Sequence, residues 1–186
     1  MQVTTGTAKG HTLLSVPGDG TRPITDMAKQ ALFNILGGEV QNSTWLDLFA
    51  GTGAVGIEAL SRGAASVTFV DRAAAAIETI HKNLSSTKLK AGASVLKQDA
   101  FGYIGSGPHT KYDFIYIAPP QWQNLWSRTL LALDQTTGWL SETGTIIVQI
   151  APSEFETHTL THLELVEQRK YGQTLLCFYE LLSAKS

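Results

Sequence analysis

Three glycines and three aspartates have the residue types and spacing that chemistry needs. In LDLFAGTGAVG, Gly51, Gly53 and Gly56 form a G-x-G-x-x-G pattern, and Asp71 follows Gly51 by twenty residues. Glycines at such a turn let the backbone approach a ligand closely, and the later carboxylate can accept ribose hydroxyls. Spacing alone therefore fits a dinucleotide. Asp47, just ahead of the turn, argues for a different ligand: its charge opposes a pyrophosphate but suits an ammonium and a sulfonium. The pattern predicts S-adenosylmethionine in preference to NAD. The plain alternative, turn glycines beside strand-end carboxylates, stays open at this point. Asp99 ends a further apolar run, ASVLKQD.

A second segment, DFIYIAPPQW, runs apolar into two consecutive prolines and then an amide and an indole. Proline locks its own φ and pushes the preceding residue to an extended conformation. The carbonyl oxygens of Ala118 and Pro119 are thereby held in fixed directions.

Apolar periodicity supplies the elements that position these groups. RPITDMAKQALFNILGG carries a helical stripe, with Thr25 as N-cap and Gly37-Gly38 as its stop. TWLDLFA, SVTFVD, ASVLKQD, YDFIYIA and GTIIVQI read as strands, separated by the helical AVGIEALSRG, AAAAIETIHKNL and LWSRTLLALD. Strands that are apolar throughout and alternate with helices imply an α/β fold, a mostly parallel sheet with helices on both faces. HLELVEQRK and TLLCFYEL, joined at Tyr171-Gly172-Gln173, read as a C-terminal antiparallel hairpin. Ligands of open α/β sheets sit beyond the carboxyl ends of the strands, where Asp47, Asp71, Asp99 and Ala118 fall.

The chain has 186 residues, 43% of them hydrophobic, enough for one sizeable core and one domain. Residues 1–22, rich in Thr and Gly, read as an arm or hairpin ahead of an α/β core over 23–186. No run approaches the roughly 18 apolar residues of a membrane span, and no signal-peptide pattern opens the chain; a cytoplasmic protein is expected. Cys177, the single cysteine, reads as a buried strand residue, and the five histidines lack metal-site spacing, so no metal is expected. Ser61 and Ser127 lack a nucleophile-elbow context. Trp45, Trp126 and Trp139 read as core, and Glu58 as a solvated or hydrogen-bonded structural residue. The formal charge of −2 gives no basic footprint. Lys9, Arg22 and Lys29 against Asp19 and Asp26 leave only +1 in the first thirty residues, a thin patch for a polyanion.

Three blocks, TRPITDMAKQALFNIL, LDLFAGTGAVGIEALSRGAASVTFVD and RKYGQTLLCFYE, occur in that order. Together they resemble the RsmD-type family of small-subunit ribosomal RNA guanine-N2 methyltransferases, over nearly the whole chain. The resemblance implies a Rossmann-like methyltransferase sheet and S-adenosylmethionine as cofactor. It also implies a ribosomal RNA or small-subunit partner and an N-terminal arm that helps dock RNA. Carried over by motif, Asp47, Gly51 and Gly53 would line the methionine side, and Phe49, Ala50 and Thr52 would also bind the cofactor. Asp71 and Arg72 would hold the ribose and adenine, Asp99 and Ala100 the adenine edge, and Arg22 and Thr25 would close over the site.

The same resemblance makes 118–122 the catalytic loop, where the family has Asp or Asn, two prolines, then Tyr or Phe. This chain has Ala118, Pro119, Pro120 and Gln121, with Trp122 one position later. An exocyclic amine is a poor nucleophile because its lone pair is delocalised into the ring. An acceptor on its N–H and a ring stacked on the base would orient it. Ala118 offers no side-chain acceptor. Main-chain oxygens and the Gln121 amide are the expected acceptors, and the Trp122 indole either contacts the base or packs against the protein.

Overall fold

The computed structural model describes residues 1–18 and 23–183. Its strands are β1 (Thr44–Leu48), β2 (Ser66–Asp71), β3 (Ala93–Lys97), β4 (Tyr112–Ile117), β5 (Leu140–Ile150), β6 (Leu163–Tyr171) and β7 (Thr174–Leu181). They form one sheet in the order β3-β2-β1-β4-β5-β7-β6. The first five are parallel, β7 runs antiparallel to β5, and β6 antiparallel to β7. The expected mostly parallel sheet with a C-terminal hairpin is what the chain adopts. β5 begins at Leu140, earlier than the apolar run at Gly144 predicts, with a register shift opposite Tyr112 and Phe114.

The helices are α1 (Asp26–Leu36), α2 (Ala54–Ser61), α3 (Ala74–Thr87), α4 (Ala100–Gly105) and α5 (Leu125–Gln135). Period-two alternation in the strands splits the core into two layers. Trp45, Phe114, Tyr116 and Ile147 face one layer with α1, α2 and α3; Leu46, Leu48, Ile115, Ile117 and Val148 face the other with α4 and α5. Thr25 caps α1 as expected, its hydroxyl accepting from the Ala28 N–H at 3.2 Å. Trp45, Trp126, Trp139 and Cys177 are buried, also as expected. α4 is a helix that periodicity does not announce. AFGYIG has two glycines in six residues, so intrinsic propensity is poor; the Asp99 cap and burial of Tyr103 and Ile104 decide it.

Gly56 shows why the third glycine of the turn is needed. A Cβ there would lie 2.3 Å from Phe69 Cε1 and 2.7 Å from Val67 Cγ1, so α2 sits against β2 only without a side chain at this position.

The N-terminal segment is packed, not free. Gln2 and Thr12 form an antiparallel bridge, Val3, Ala8 and Leu13 join the core, and the Thr7 N–H donates to the Ser61 carbonyl at 2.8 Å. Its main anchor is Glu58, which is fully buried in α2. The carboxylate accepts from the Thr4 N–H at 2.9 Å, the Thr4 hydroxyl at 2.7 Å, the Thr5 N–H at 3.1 Å and Arg62 Nε at 2.9 Å. Lys29 Nζ, equally buried, lies 3.2 Å away and also donates to the Gln2 carbonyl. Solvation is therefore the wrong half of the expectation for Glu58; hydrogen bonding is the right half.

Burial pushes the Glu58 carboxyl up, but the Thr4 donors, Lys29 and Arg62 outweigh it and hold the group below the ordinary value of 4.5. A depressed folded value means stability that is present above about pH 4.5 and is lost as pH falls through the folded value. Glu58→Gln removes the buried anion that Lys29 and Arg62 share, leaving Lys29 only Asp26 at 3.6 Å. It is expected to cost about 3–5 kcal/mol at neutral pH and to flatten the acid limb of a pH-dependent urea denaturation series.

Candidate active site

Strand order reverses at β1, with β2 on one side and β4 on the other, and the crevice beyond such a reversal is where α/β sheets bind ligands. Three adjoining cavities, of about 540, 270 and 60 Å³, open there, and Ala118 lines all three. The largest is walled by Phe49, Gly51, Asp71, Arg72, Asp99 and Ala100. The smallest is walled by Asp47, Phe49, Ala50, Gly51 and Thr52. The third is walled by Thr25, Pro119, Pro120 and Gln121 and reaches the β6–β7 turn at Tyr171 to Thr174. Gly53 lines none of them, and Trp122 lines none of them and is 68% exposed. Arg22 lies outside the described residues.

Asp71 shapes the glycine turn as well as facing the cleft. Its Oδ2 accepts from the Gly51 N–H and its Oδ1 from the Ala73 N–H, both at 2.9 Å. Each carboxylate oxygen retains a lone pair for a ligand hydroxyl. Gly51 and Gly53 hold φ of 55° and 75°, and Phe49 between β1 and the turn holds 60°, a conformation that a bulky side chain rarely adopts. Asp99 Oδ1 accepts from the Phe101 and Gly102 N–H groups at 2.9 and 3.1 Å, opening α4 at the cleft wall.

Asp47 is 2% exposed and accepts from the Gly56 N–H at 3.3 Å. Burial pushes its carboxyl well above the usual range; the Gly56 N–H opposes that, and the Asp71 charge adds to it. No Lys, Arg or His pairs with Asp47 among the described residues. A buried anion lacking a cation fits a cationic ligand group, and the adjoining cleft with its paired hydroxyl acceptors fits a nucleoside. The residues present therefore suit S-adenosylmethionine. Among the described residues no group of three or more His, Cys, Asp and Glu could hold a metal, and no helix is long and apolar enough to cross a membrane.

Sequence reasoning missed several wall residues. Tyr116 is registered beside Asp47, and its hydroxyl donates to Gln149 Oε1 across β5. Arg128 lies over the Phe101 ring, 4.6 Å from its centroid, and both face the large cleft. Period-two counting from Asp47 through the strand register could have found Tyr116. Arg128 arrives on a helix face that only the packing of α4 against α5 defines.

The loop after β4 is braced at its far end. Trp122 and Asn124 take φ of 64° and 50°, left-handed conformations that cost a non-glycine residue energy. Glu154 offsets this: Oε1 accepts from the Trp122 N–H at 2.7 Å, and Oε2 from the Ala151 N–H at 3.0 Å. One carboxylate thus ties the proline loop to the end of β5.

The sheet order and the strand-end crevice define a Rossmann-like methyltransferase. A solved structure, "Putative methyltransferase yhhF from Escherichia coli", superposes with a TM-score of 0.85 at 28% identity, with 97% of each chain covered. The family model described as Conserved hypothetical protein 95 matches residues 1–180, and the chain belongs to that family, the RsmD-type methyltransferases, whose cofactor is S-adenosylmethionine. "Putative rRNA methyltransferase YlbH" of Bacillus subtilis (strain 168) is 35% identical over 182 residues, 97% of this chain and 98% of its own. "Ribosomal RNA small subunit methyltransferase D" of Escherichia coli (strain K12) is 34% identical over 145 residues, 77% of this chain and 71% of its own.

Glu154→Ala is expected to release the loop. Amide exchange at Trp122 and Ala151 should speed up, with a stability loss of about 1–3 kcal/mol. Unchanged protection at both amides would show that the prolines alone hold the loop.

Proposed function

We propose that this protein methylates the exocyclic N2 amine of a guanine in small-subunit ribosomal RNA, in the cytoplasm. The observation that carries this reading is the position of Ala118, on the wall common to the large cleft, the Asp47 cavity and the cavity beneath the proline loop. The descriptions of the Bacillus subtilis and Escherichia coli relatives as rRNA methyltransferases support the substrate class. S-adenosylmethionine, when bound, supplies an electrophilic methyl group on a sulfonium.

The chain's own residues then divide the work. Asp71 accepts the ribose hydroxyls, while Arg72, Asp99 and Ala100 border the adenine and the Arg128–Phe101 pair closes the cleft. Asp47 balances the positive charge of the methionine end in the 60 Å³ cavity. On the other side of Ala118, the rigid carbonyls of Ala118 and Pro119 accept N–H from the base amine and turn its lone pair toward the methyl. Trp122, exposed on the loop, offers a stacking surface to an RNA base at the site mouth. Thr25, on the same side, borders the acceptor cavity and not the nucleoside cleft.

Two measurements check the cofactor half. Asp71→Ala should weaken S-adenosylmethionine binding by about 1–3 kcal/mol in calorimetry, while NAD should not bind the wild type. Because burial raises Asp47 and a cationic ligand favours its ionised form, binding should release protons and tighten as pH rises through the free-state value. Calorimetry in buffers of different ionisation enthalpy reads this directly.

The transfer half is tested with labelled S-adenosylmethionine and small subunits from a strain lacking the gene, followed by mapping of the methylated nucleotide. Label at a guanine N2 is expected, and Ala118→Asn, which restores a side-chain acceptor on the same scaffold, should keep or raise the rate. Tight cofactor binding without transfer by either protein, on naked RNA and on subunits alike, would overturn the enzymatic reading.

A further inference from the structure

Only three described residues line both the Asp47 cavity and the cavity beneath the proline loop: Pro23, Ala118 and Gln149. Of these, Gln149 alone has a polar side chain. The methyl group must cross at this junction, so the side chain there is next to the base that receives it. Gln149 lies one step beyond the registered pair Ile117–Val148, directly alongside Ala118. It is also two residues after Ile147, on the same face of the sheet as Tyr116 and Asp47.

The amide is oriented from behind. The buried Tyr116 hydroxyl donates to Gln149 Oε1, which leaves Nε2 as the free end, and Nε2 donates to no acceptor among the described residues. A free amide nitrogen is a donor only. It cannot take the hydrogen of a base amine, but it matches a ring nitrogen that carries a lone pair. Around the guanine amine, N1 bears hydrogen and N3 bears a lone pair.

Resting on the guanine reading above, we propose that Gln149 is a specificity-determining residue whose Nε2 donates to N3 of the acceptor guanine. The carbonyls of Ala118 and Pro119 accept from the N2 amine on the other side. Donor and acceptor together read the N3–C2–N2 edge, which gives this loop a polar side-chain contact that Ala118 cannot provide.

The test compares small-subunit RNA carrying guanosine or 3-deazaguanosine at the mapped site, joined by splinted ligation. In the deaza base, N3 is replaced by C–H while the amine stays. Wild type should lose roughly tenfold in kcat/KM on the deaza substrate. Gln149→Met should lose a similar factor on guanosine and show no further loss on 3-deazaguanosine, with the fold checked by cooperative thermal unfolding. Tyr116→Phe, which keeps the donor but frees the amide, should show a reduced deaza penalty, and it serves if Gln149→Met does not fold. Equal wild-type rates on the two bases, or a full deaza penalty retained in Gln149→Met, would overturn this inference and leave the function standing. Absence of any wild-type transfer to guanosine would overturn the function first and this contact with it.

Discussion

The reversal of strand order between β2 and β4, on either side of β1, is the constraint from which the site follows. Parallel strands in register place their carboxyl ends at one level, so Asp47, Tyr116 and Ile147 fall in a row across β1, β4 and β5, with Gln149 two residues further along the same face of β5. Crossovers leaving opposite sides of β1 open the crevice above that row. A slip of one residue in β1 would turn Asp47 away and bring Leu46 or Leu48 into its place, because successive strand residues face opposite sides. The apolar partners of those leucines in the second layer make such a slip costly. Core packing and site geometry are thus a single requirement on register.

Charge is handled in two ways in this fold. Glu58 is buried with every lone pair engaged and with two cations beside it, so it stays ionised and serves as a fixed joint. Asp47 is buried with a single weak backbone donor and another carboxylate near, so its ionised form is unfavourable. Burial pushes both carboxyls up, and only Glu58 has the partners to outweigh it. An anion left short of partners at a ligand crevice is an electrostatic vacancy for positive charge, whereas the saturated anion in α2 has nothing left to bind.

Much of this was legible in the chain. The glycine turn, Asp47, Asp71 and the strand–helix alternation announce themselves because each obeys a local rule: turn φ, strand period or helix period. What was not legible depends on contacts between distant segments. AFGYIG is helical only because Asp99 caps it and the second core layer takes Tyr103 and Ile104. The Thr- and Gly-rich start of the chain reads as an arm or hairpin, but its seat against α2 is not legible there: Gly6 lies so close to the Ser61 carbonyl that a Cβ would be 1.8 Å away. The position of Trp122 after the prolines is legible, but its left-handed backbone, its exposure and its tie to Glu154 depend on a segment thirty-two residues away. Gln149 sat unnoticed in an apolar strand because its meaning comes from Tyr116, on a neighbouring strand.

The placement of β7 has a consequence for how the chain is made. β7 lies between β5 and β6 and pairs with both, so a strand formed near residues 174–181 is an interior one. Until it has left the ribosome, β5 has an unsatisfied hydrogen-bonding edge made of an apolar run, the kind of edge that recruits foreign strands. β7 therefore joins the sheet only after the parallel strands β1 to β5 have been made, and the nascent chain passes through a stage in which that core is open on one side.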